Sequence, residues 1–256
     1  MKITFVGGGN MASALIGGLI NNGFPVGDIV VIELGADGRS RLEKTFGVQC
    51  HAEPDVGSLD CDVLLLAVKP QQMREACASV SKYLDQQLVI SIAAGLRLAD
   101  LSRWLGGYGK LVRTMPNTPA LIGCGVTGLF ALPTVCEAEK LGTERVLHAV
   151  GSTLWVSDEA QLDAVTAISG SGPAYVFLFI EAMQQAVAVR HLDREARTRV
   201  EFEDHRAEVA IEHEVDADVA EAGKFVTARS HADQIFPAGD VEADDAVLGV
   251  GMFADD

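Results

Sequence analysis

Three glycines follow a short apolar segment at the start of the chain. The segment Phe5-Val-Gly-Gly-Gly-Asn-Met-Ala12 fits the pattern G-x-G-x-x-G/A, with Gly7, Gly9 and Ala12 at the fixed positions. In this pattern the first glycine allows a tight turn, the second lets a pyrophosphate approach the backbone, and the small third residue lets a helix pack on a strand. A helix that begins there also offers free N–H groups to the phosphates. The pattern therefore predicts a dinucleotide site, although alone it also fits an ordinary glycine-rich turn.

An acidic residue ends the second predicted strand, Ile29–Glu33. The Glu33 carboxylate can accept a hydrogen bond from a ribose hydroxyl, which favours NAD, and it would repel a 2′-phosphate unless a cation compensated it. Arg39 and Arg41 are the candidate cations, but a solvated helix face explains both arginines better. The choice between NADH and NADPH stays open at this point.

Three further turns combine small residues with prolines or a lysine at predicted strand ends. They are Ala67-Val-Lys-Pro70, Ala93-Ala-Gly95 and Met115-Pro-Asn-Thr-Pro119. Ligands of open α/β sheets bind at the carboxyl ends of the strands. Lys69 can bind a phosphate or a ribose hydroxyl, and Asn117 and Thr118 offer donors and acceptors to a carboxamide. Each turn alone fits ordinary loop chemistry, but together they predict a cleft along one edge of a sheet.

A fourth candidate is the turn Ser169-Gly-Ser-Gly-Pro173, which precedes a long helical segment. Backbone N–H groups at such a helix start, here those of Ser171 and Gly172, can bind a carboxylate. A purely structural junction between two helices explains the same residues equally well.

Strand-like and helix-like segments alternate over the first 157 residues, which predicts βαβ units and a mostly parallel, doubly wound sheet of the Rossmann type. The predicted strands are Lys2–Val6, Ile29–Glu33, Val63–Val68, Leu88–Ala93, Leu111–Met115, Gly125–Ala131 and Leu154–Val156. The predicted helices between them are Met11–Asn22, Arg39–Phe46, Gln71–Leu84, a short one around Leu101, and Glu137–Val150. From Asp158 the strand signal disappears, so a helical second domain is expected over residues 158–256, with the boundary near Ser157.

The composition excludes several classes of function. A formal net charge of −16 argues against nucleic acid or an anionic membrane as a partner. Five dispersed cysteines indicate reduced thiols, most of them small core residues, and predict no metal site. No secretion signal is apparent, and uninterrupted apolar runs such as Val63–Val68 are far shorter than the roughly 20 residues of a membrane span. A cytoplasmic protein is expected.

Charge is unevenly distributed along the chain. Residues up to Arg190 contain 18 acids and 14 bases, whereas the residues from His191 onward contain 18 acids and 6 bases. Such a concentration of acids does not fit the apolar stripe of a buried helix, and it predicts a solvated or disordered segment over about residues 197–256.

In combination these motifs resemble the Δ1-pyrroline-5-carboxylate reductase family, the last enzymes of proline biosynthesis. The resemblance rests on GGGNMA, AVKP, AAG, MPNTP followed by GCGVTGL, and DAVTAISGSGPAY, in the family's order and spacing. It covers about Met1 to Ala186 and extends towards Ala196. The combination is far more specific than any one of the motifs.

The resemblance implies hydride transfer from NADPH or NADH to the C=N carbon of Δ1-pyrroline-5-carboxylate, which gives L-proline. Together with the acid at the second strand end, the implied cofactor-binding residues are Val6, Gly7, Gly8, Gly9, Asn10, Met11, Glu33, Ala67, Val68, Lys69, Pro70, Ala93, Ala94, Gly95 and Asn117. The implied substrate-binding residues are Glu159 (or its neighbour Asp158), Ser171 and Gly172. The family also implies a helical substrate and dimerisation domain, hence a homo-oligomer. A protonated imine carbon is already electrophilic, so positioning can supply most of the catalysis without a histidine acid.

The chain departs from the family in three places. No serine accompanies Glu33, and Pro54 stands where relatives can carry a cofactor-binding asparagine, so both departures weaken an NADPH assignment. The Ser-Pro-Gly-Gly-Thr-Thr type motif, expected to bind the substrate carboxylate, is missing. We hypothesise a change of reading frame near Ala196, which resequencing the gene would test; a diverged tail with its own partner is the alternative.

Two other functions fit parts of the sequence. A β-hydroxyacid dehydrogenase shares the two-domain plan but places a lysine on the first long helix after its glycine turn, and residues 174–199 contain none. A nucleotide-binding protein without catalysis is favoured by the missing carboxylate motif. Assays of cofactor binding and of turnover would separate this possibility from a reductase.

Overall fold

The computed structural model of the chain describes residues 1–189, with side chains up to residue 185. Its strands are β1 (Ile3–Val6), β2 (Ile29–Ile32), β3 (Gln49–His51), β4 (Val63–Leu66), β5 (Leu88–Ser91), β6 (Leu111–Met115), β7 (Gly125–Ala131) and β8 (Gly151–Trp155). Its α-helices are α1 (Asn10–Asn21), α2 (Ala36–Phe46), α3 (Met73–Val80), α4 (Leu98–Trp104), α5 (Glu137–Leu147), α6 (Gln161–Val165) and α7 (Gly172–Val189).

The strands form one sheet in the order β3-β2-β1-β4-β5-β6-β7-β8. The six strands from β3 to β6 are mutually parallel, β7 runs antiparallel to β6, and β8 runs parallel to β7. The first six strands thus follow the 3-2-1-4-5-6 order of a dinucleotide-binding fold, which confirms the predicted fold class. The strand order reverses between β1 and β4, so the crevice for a ligand lies beyond their carboxyl ends.

Helices cover both faces of the sheet, which explains why the central strands are apolar at almost every position. Alternate residues of β1 and β4, such as Phe5 and Leu65, pack with α1 on one face. Their neighbours, such as Val6 and Leu64, pack with α3 and α4 on the other face. Every residue of β1, β4 and β5 is buried. A strand buried on both sides has no polar face and therefore no alternation in its sequence.

Several element bounds differ from the predicted ones. The helix predicted over Gln71–Leu84 is α3 flanked by two 3₁₀ turns, because Pro70 fixes a turn at its start. Strand β3 was not predicted, since three half-exposed residues carry too little pattern. Strand β8 begins at Gly151, earlier than the predicted Leu154, because its first residues are small and polar.

The first compact unit of the structure runs from Met1 to Pro173 and includes the sheet. It extends beyond the boundary predicted near Ser157 because α6 packs on β7. The Leu162 side chain is fully buried, and Leu162 and Val165 lie against the backbone of Gly128. The second unit begins at Ala174. The predictions made for residues 197–256 lie outside the described residues.

Helix α7 carries several exposed apolar side chains. They are Tyr175, Val176, Leu178, Phe179 and Met183. By length and composition alone, the helical stretch over residues 161–185 would also suffice for a membrane span. A helix that packs in a protein interface can have the same length and apolar composition. Contiguous exposed apolar side chains mark an interaction surface.

The five cysteines occupy different environments. Cys77 on α3 is fully buried, and its burial raises the pKa of the thiol to about 11. Cys50 and Cys61 are partly buried, whereas Cys124 and Cys136 are exposed. Cys124 lies in the loop before β7, and Cys136 precedes α5. The prediction that most of the cysteines are core residues therefore holds for Cys77, while Cys50 and Cys61 pack against the edge of the core and Cys124 and Cys136 lie outside it.

A thiol reagent is expected to distinguish these environments. At neutral pH, iodoacetamide should modify Cys124 and Cys136 in the folded protein and leave Cys77 unmodified, because the reacting species is an accessible thiolate. Peptide mass mapping before and after unfolding in urea measures the order of reaction. Modification of Cys77 at the same rate as Cys124 would contradict the described burial.

Candidate functional site

Gly7 makes the turn that leaves β1. Its φ angle is +99°, and its N–H donates a hydrogen bond of 2.8 Å to the carbonyl oxygen of Ile32 at the end of β2. A Cβ atom at Gly7 would lie 2.7 Å from the carbonyl oxygen of Ala67, just after β4. The turn thus passes between the carboxyl ends of three adjacent strands, and only glycine has both the required φ and the required size.

Gly9 occupies a different environment at the start of α1. It is the residue that precedes the helix, and its carbonyl oxygen accepts the 2.9 Å hydrogen bond from the N–H of Ser13. A Cβ atom at Gly9 would meet no atom within 4 Å, and the first turn of α1 carries no acidic residue. The start of the helix therefore has open space at Gly9, and no residue of its own first turn offsets its positive dipole end. A dinucleotide pyrophosphate fits these features.

Gly8 is fixed to the next strand by Glu33. The N–H of Gly8 donates to Oε2 of Glu33 at 2.9 Å, and the N–H of Gly35 donates to Oε1 of the same carboxylate at 2.8 Å. A Cβ atom at Gly8 would collide with a methyl group of Leu42. Glu33 therefore joins the glycine turn to the loop before α2, in addition to any contact with a ribose.

Two arginines complete this side of the site. Nη1 of Arg39 donates to the carbonyl oxygens of Glu33 and Leu34, at 2.8 and 2.7 Å. Nη2 of Arg41 donates to the carbonyl oxygen of Gly8 at 3.0 Å. Arg39 is half-buried and bound to the backbone, so the interpretation of a solvated face is wrong for Arg39. Arg41 is exposed, as that interpretation expects, but it also reaches back to the glycine turn.

The remaining predicted cofactor residues follow β4 and β5 along the same edge. Ala67 contacts the glycine turn, and its N–H donates to the carbonyl oxygen of Val6 at 2.8 Å. Lys69 is exposed where the chain turns after β4. Ala94 and Gly95 are exposed after β5, and Gly95 has a positive φ of +74° with open space on its Cβ side. The glycine turn and the turns that follow β4 and β5 therefore lie at the same edge of the sheet, where the strand order reverses.

Asn117 follows β6 and connects three segments. Its Nδ2 donates to Oγ of Ser169 at 2.9 Å and to the Ser169 carbonyl oxygen at 3.3 Å. Its Oδ1 accepts the N–H of Val126 on β7 at 2.9 Å. The Nδ2 group is thus bound to Ser169 and Oδ1 accepts one hydrogen bond, so only a second acceptor position of Oδ1 is left for the carboxamide contact that the sequence suggested. Oγ of the adjacent Thr118 is buried with no hydrogen-bond partner among the described residues.

Asn117→Asp is expected to destabilise the fold by about 1–3 kcal/mol, because a carboxylate cannot donate to the Ser169 carbonyl oxygen and would face it in a buried place. Urea unfolding measures the difference in free energy. Ser169→Ala, the control, leaves the carbonyl acceptor in place and should cost roughly 1 kcal/mol or less. Wild-type stability of Asn117→Asp would show that the described hydrogen bonds contribute little.

Ser171 and Gly172 do not stand at a free helix start. One π-helical turn over Thr166–Gly170 joins α6 to α7, and the N–H of Ser171 donates to the carbonyl oxygen of Thr166 at 2.8 Å. The predicted break at residues 169–173 is therefore wrong, because the extra residue of a π turn absorbs the glycines without ending the helix. A substrate contact by Ser171 or Gly172 stays a prediction, and the Ser171 N–H is already bonded.

Glu159 lies beside a buried arginine that the sequence analysis did not single out. Arg113 on β6 is only 4% exposed, and its Nη1 lies 3.2 Å from Oε1 of Glu159. The same Oε1 accepts the N–H of Leu98, the first residue of α4, at 2.8 Å. Asp163 on α6 lies 3.5 Å from Nη2 of Arg113. A lone arginine in an otherwise apolar strand was the signal for this cluster, and a substrate contact by Glu159 stays a prediction.

Within residues 1–189 the structure shows no group of three or more histidine, cysteine or acidic side chains placed to hold a metal ion. Two charged groups lie near the candidate site, the Glu33 turn and the Arg113 cluster, and both make hydrogen bonds or ion pairs within the protein.

Comparison with known proteins identifies two family models. "NADP oxidoreductase coenzyme F420-dependent" matches residues 2–95, and "Pyrroline-5-carboxylate reductase dimerisation" matches residues 159–203. A pyrroline-5-carboxylate reductase of Pseudomonas aeruginosa is 42% identical over 218 residues, which cover 84% of this chain and 80% of the relative.

Solved structures of similar sequence agree with this result. A pyrroline-5-carboxylate reductase from Coxiella burnetii superposes with a TM-score of 0.71 at 38% identity and covers 91% of this chain and 89% of that one. A pyrroline carboxylate reductase from Plasmodium falciparum, solved with NADP bound, gives a TM-score of 0.67 at 27% identity over 96% of this chain and 88% of that one.

Proposed function

Since the chain belongs to the pyrroline-5-carboxylate reductase family, we propose that its first unit binds NAD(P)H along the carboxyl edge of the parallel strands to reduce Δ1-pyrroline-5-carboxylate to L-proline. The observation that carries the proposal is the start of α1. Gly9 leaves open space there, and the first turn of α1 contains no acidic residue. The site is therefore prepared for a dianionic pyrophosphate.

The other residues take roles that follow from their strand ends. The backbone of residues 6–11 surrounds the pyrophosphate, and Glu33 lies on the adenosine side at the end of β2. Ala67–Pro70 follow β4 and line the middle of the crevice. Ala93–Gly95 follow β5 on the nicotinamide side, where the exposed Ala94 and Gly95 leave room for a planar ring and Ala93 is buried beneath them. Asn117 holds the neighbouring loop in place through Ser169.

A bound reduced nicotinamide supplies the hydride that the C=N carbon of the substrate accepts. The protein's own contribution is orientation, since an imine carbon, especially when protonated, is already electrophilic. The small residues after β5 keep side chains away from the space where ring and substrate meet, and the Asn117–Ser169 link fixes the wall beside them. Hydride transfer to an imine that is already protonated requires no proton donor among the described residues.

A homo-oligomer is part of the proposal. The dimerisation family model covers α6, α7 and the residues up to 203, and α7 has a row of exposed apolar side chains. A second copy of the chain is the partner that would cover such a surface. Light scattering after size-exclusion chromatography measures the mass, and a monomer at every concentration tested would contradict this part.

A cytoplasmic location is a further part of the proposal. All five cysteines of the chain are described as free thiols, which suits a reducing compartment. Cell fractionation with an antibody to the chain tests it, and recovery in the membrane fraction would contradict it.

A catalytically defective nucleotide-binding protein is the second candidate. The Ser-Pro-Gly-Gly-Thr-Thr type motif is missing from the sequence, and the dimerisation model stops matching at residue 203. We propose that the reading frame changed near Ala196, close to the last residues that the dimerisation model matches, so that the tail beyond them is not that of the family's domain. Resequencing the gene from independent isolates tests this, and an intact frame in all of them would contradict it.

The direct experiment is oxidation of NADH and of NADPH by the purified full chain with Δ1-pyrroline-5-carboxylate. Turnover that yields proline is expected for a reductase, and binding of each nucleotide is measured in parallel without substrate. Nucleotide binding without turnover would favour the second candidate. Absence of both would overturn the proposed function as a whole.

A further inference from the structure

We propose that the Glu33 carboxylate fills the anion position at the start of α2 and thereby makes this chain select NADH over NADPH. The inference rests on the proposed function, because it concerns the adenosine end of the same nucleotide. It goes further in naming one cofactor and the residue that chooses it.

The carboxylate is held against the first turn of α2 by backbone groups. Its two oxygens each accept one N–H, from Gly8 at 2.9 Å and from Gly35 at 2.8 Å, and Gly35 is the residue that precedes the helix. A Cβ atom at Gly38, in the first helical turn, would lie 3.0 Å from Cγ and 3.3 Å from Cδ of Glu33. Glycines at positions 8, 35 and 38 thus form a recess that this side chain occupies.

A 2′-phosphate would compete for that recess. A helix start attracts anions through its free N–H groups and positive dipole end, and here an anion of the protein already uses them. Asp37, in the same helical turn, adds a second negative charge nearby. A phosphate brought to this place meets two carboxylates and finds the Gly35 N–H already bonded.

The two neighbouring arginines do not offset the repulsion between a 2′-phosphate and the two carboxylates. Both hydrogens on Nη1 of Arg39 are directed to backbone carbonyl oxygens, and Nη2 of Arg41 donates to the Gly8 carbonyl oxygen. These hydrogen bonds hold both guanidinium groups against the loops that Glu33 joins. A ribose 2′-hydroxyl, in contrast, is neutral and can donate to a lone pair of Glu33 that the backbone N–H groups leave unused.

The test is equilibrium binding of NADH and of NADPH to the purified full chain, measured by calorimetry without substrate. NADH is expected to bind at least about tenfold more tightly than NADPH, because binding of NADPH brings like charges together at this site. Glu33→Gln, which removes the charge and keeps the size, should move the ratio of the two dissociation constants towards NADPH by about tenfold.

Asp37→Asn is the matched control. It removes one charge from the same helical turn but makes none of the bonds to the glycine turn, so the ratio should change by less than about threefold. Tighter or equal binding of NADPH by the wild-type chain would overturn the inference and leave the proposed function standing. Failure to bind either nucleotide would overturn both. The wild-type ratio decides the question even where a Glu33 variant does not fold.

Discussion

Gly9→Ala is expected to weaken NAD(P)H binding severely while lowering the stability of the fold by no more than about 1 kcal/mol, the loss expected for alanine at a helix N-cap. A methyl group at this position meets no protein atom within 4 Å, so nothing in the described structure resists it. It would instead occupy the space in which a pyrophosphate contacts the start of α1. Overpacking of this kind costs about 1–3 kcal/mol, which is roughly ten- to a hundredfold in the dissociation constant. Calorimetric titration with NADH and thermal unfolding of the same sample measure the two effects separately.

Gly7→Ala provides the contrast. Its φ of +99° is unfavourable for alanine, and its methyl group would lie 2.7 Å from the Ala67 carbonyl oxygen. This variant should lose about 2–4 kcal/mol of stability together with nucleotide binding. Gly142→Ala in α5, also with open space on its Cβ side, is the neutral control and should bind NADH normally. Normal binding by Gly9→Ala would place the pyrophosphate elsewhere.

The sequence predicts those parts of the fold that depend on local pattern. Val63–Leu66 is apolar throughout because helices cover both faces of β4, and a run of that kind is recognisable without a structure. The spacing of Gly7, Gly9 and Ala12 likewise specifies a turn and a close helix contact. What local pattern does not define is a three-residue edge strand such as β3, or a π turn that carries a helix through two glycines.

The partners of polar side chains were harder to predict, because they lie far apart along the chain. The sequence identified Glu33 as an acid at a strand end and Asn117 as a polar residue in a turn. It does not show that Glu33 binds the N–H groups of two loops, or that Asn117 binds Ser169. Such pairs form only when the sheet order brings distant loops to one edge. Residue type was therefore predictable at the site, and most hydrogen-bond partners were not.

Glu159→Ala is expected to lower the free energy of unfolding by about 3 kcal/mol. The substitution removes the main partner of Arg113, which is 4% exposed, and leaves the N–H of Leu98 at the start of α4 without its acceptor. A buried charge that loses its partner is strongly destabilising, typically by 3–5 kcal/mol, and the remaining Asp163 reduces the loss only in part. Urea unfolding followed by circular dichroism measures it.

Two companion variants distinguish this positioning role from contact with the substrate. Asp163→Ala removes the other carboxylate, but Asp163 is 68% exposed, so it should cost roughly 1 kcal/mol or less. Glu159→Gln keeps an acceptor for Leu98 and for Arg113, and it should restore much of the stability that alanine loses. If Glu159 only positions α4 and β6, kcat/KM for the substrate follows stability across the three variants. A Glu159→Gln variant that is stable but has lost kcat/KM would instead place this carboxylate at the substrate, as the resemblance to the family implies.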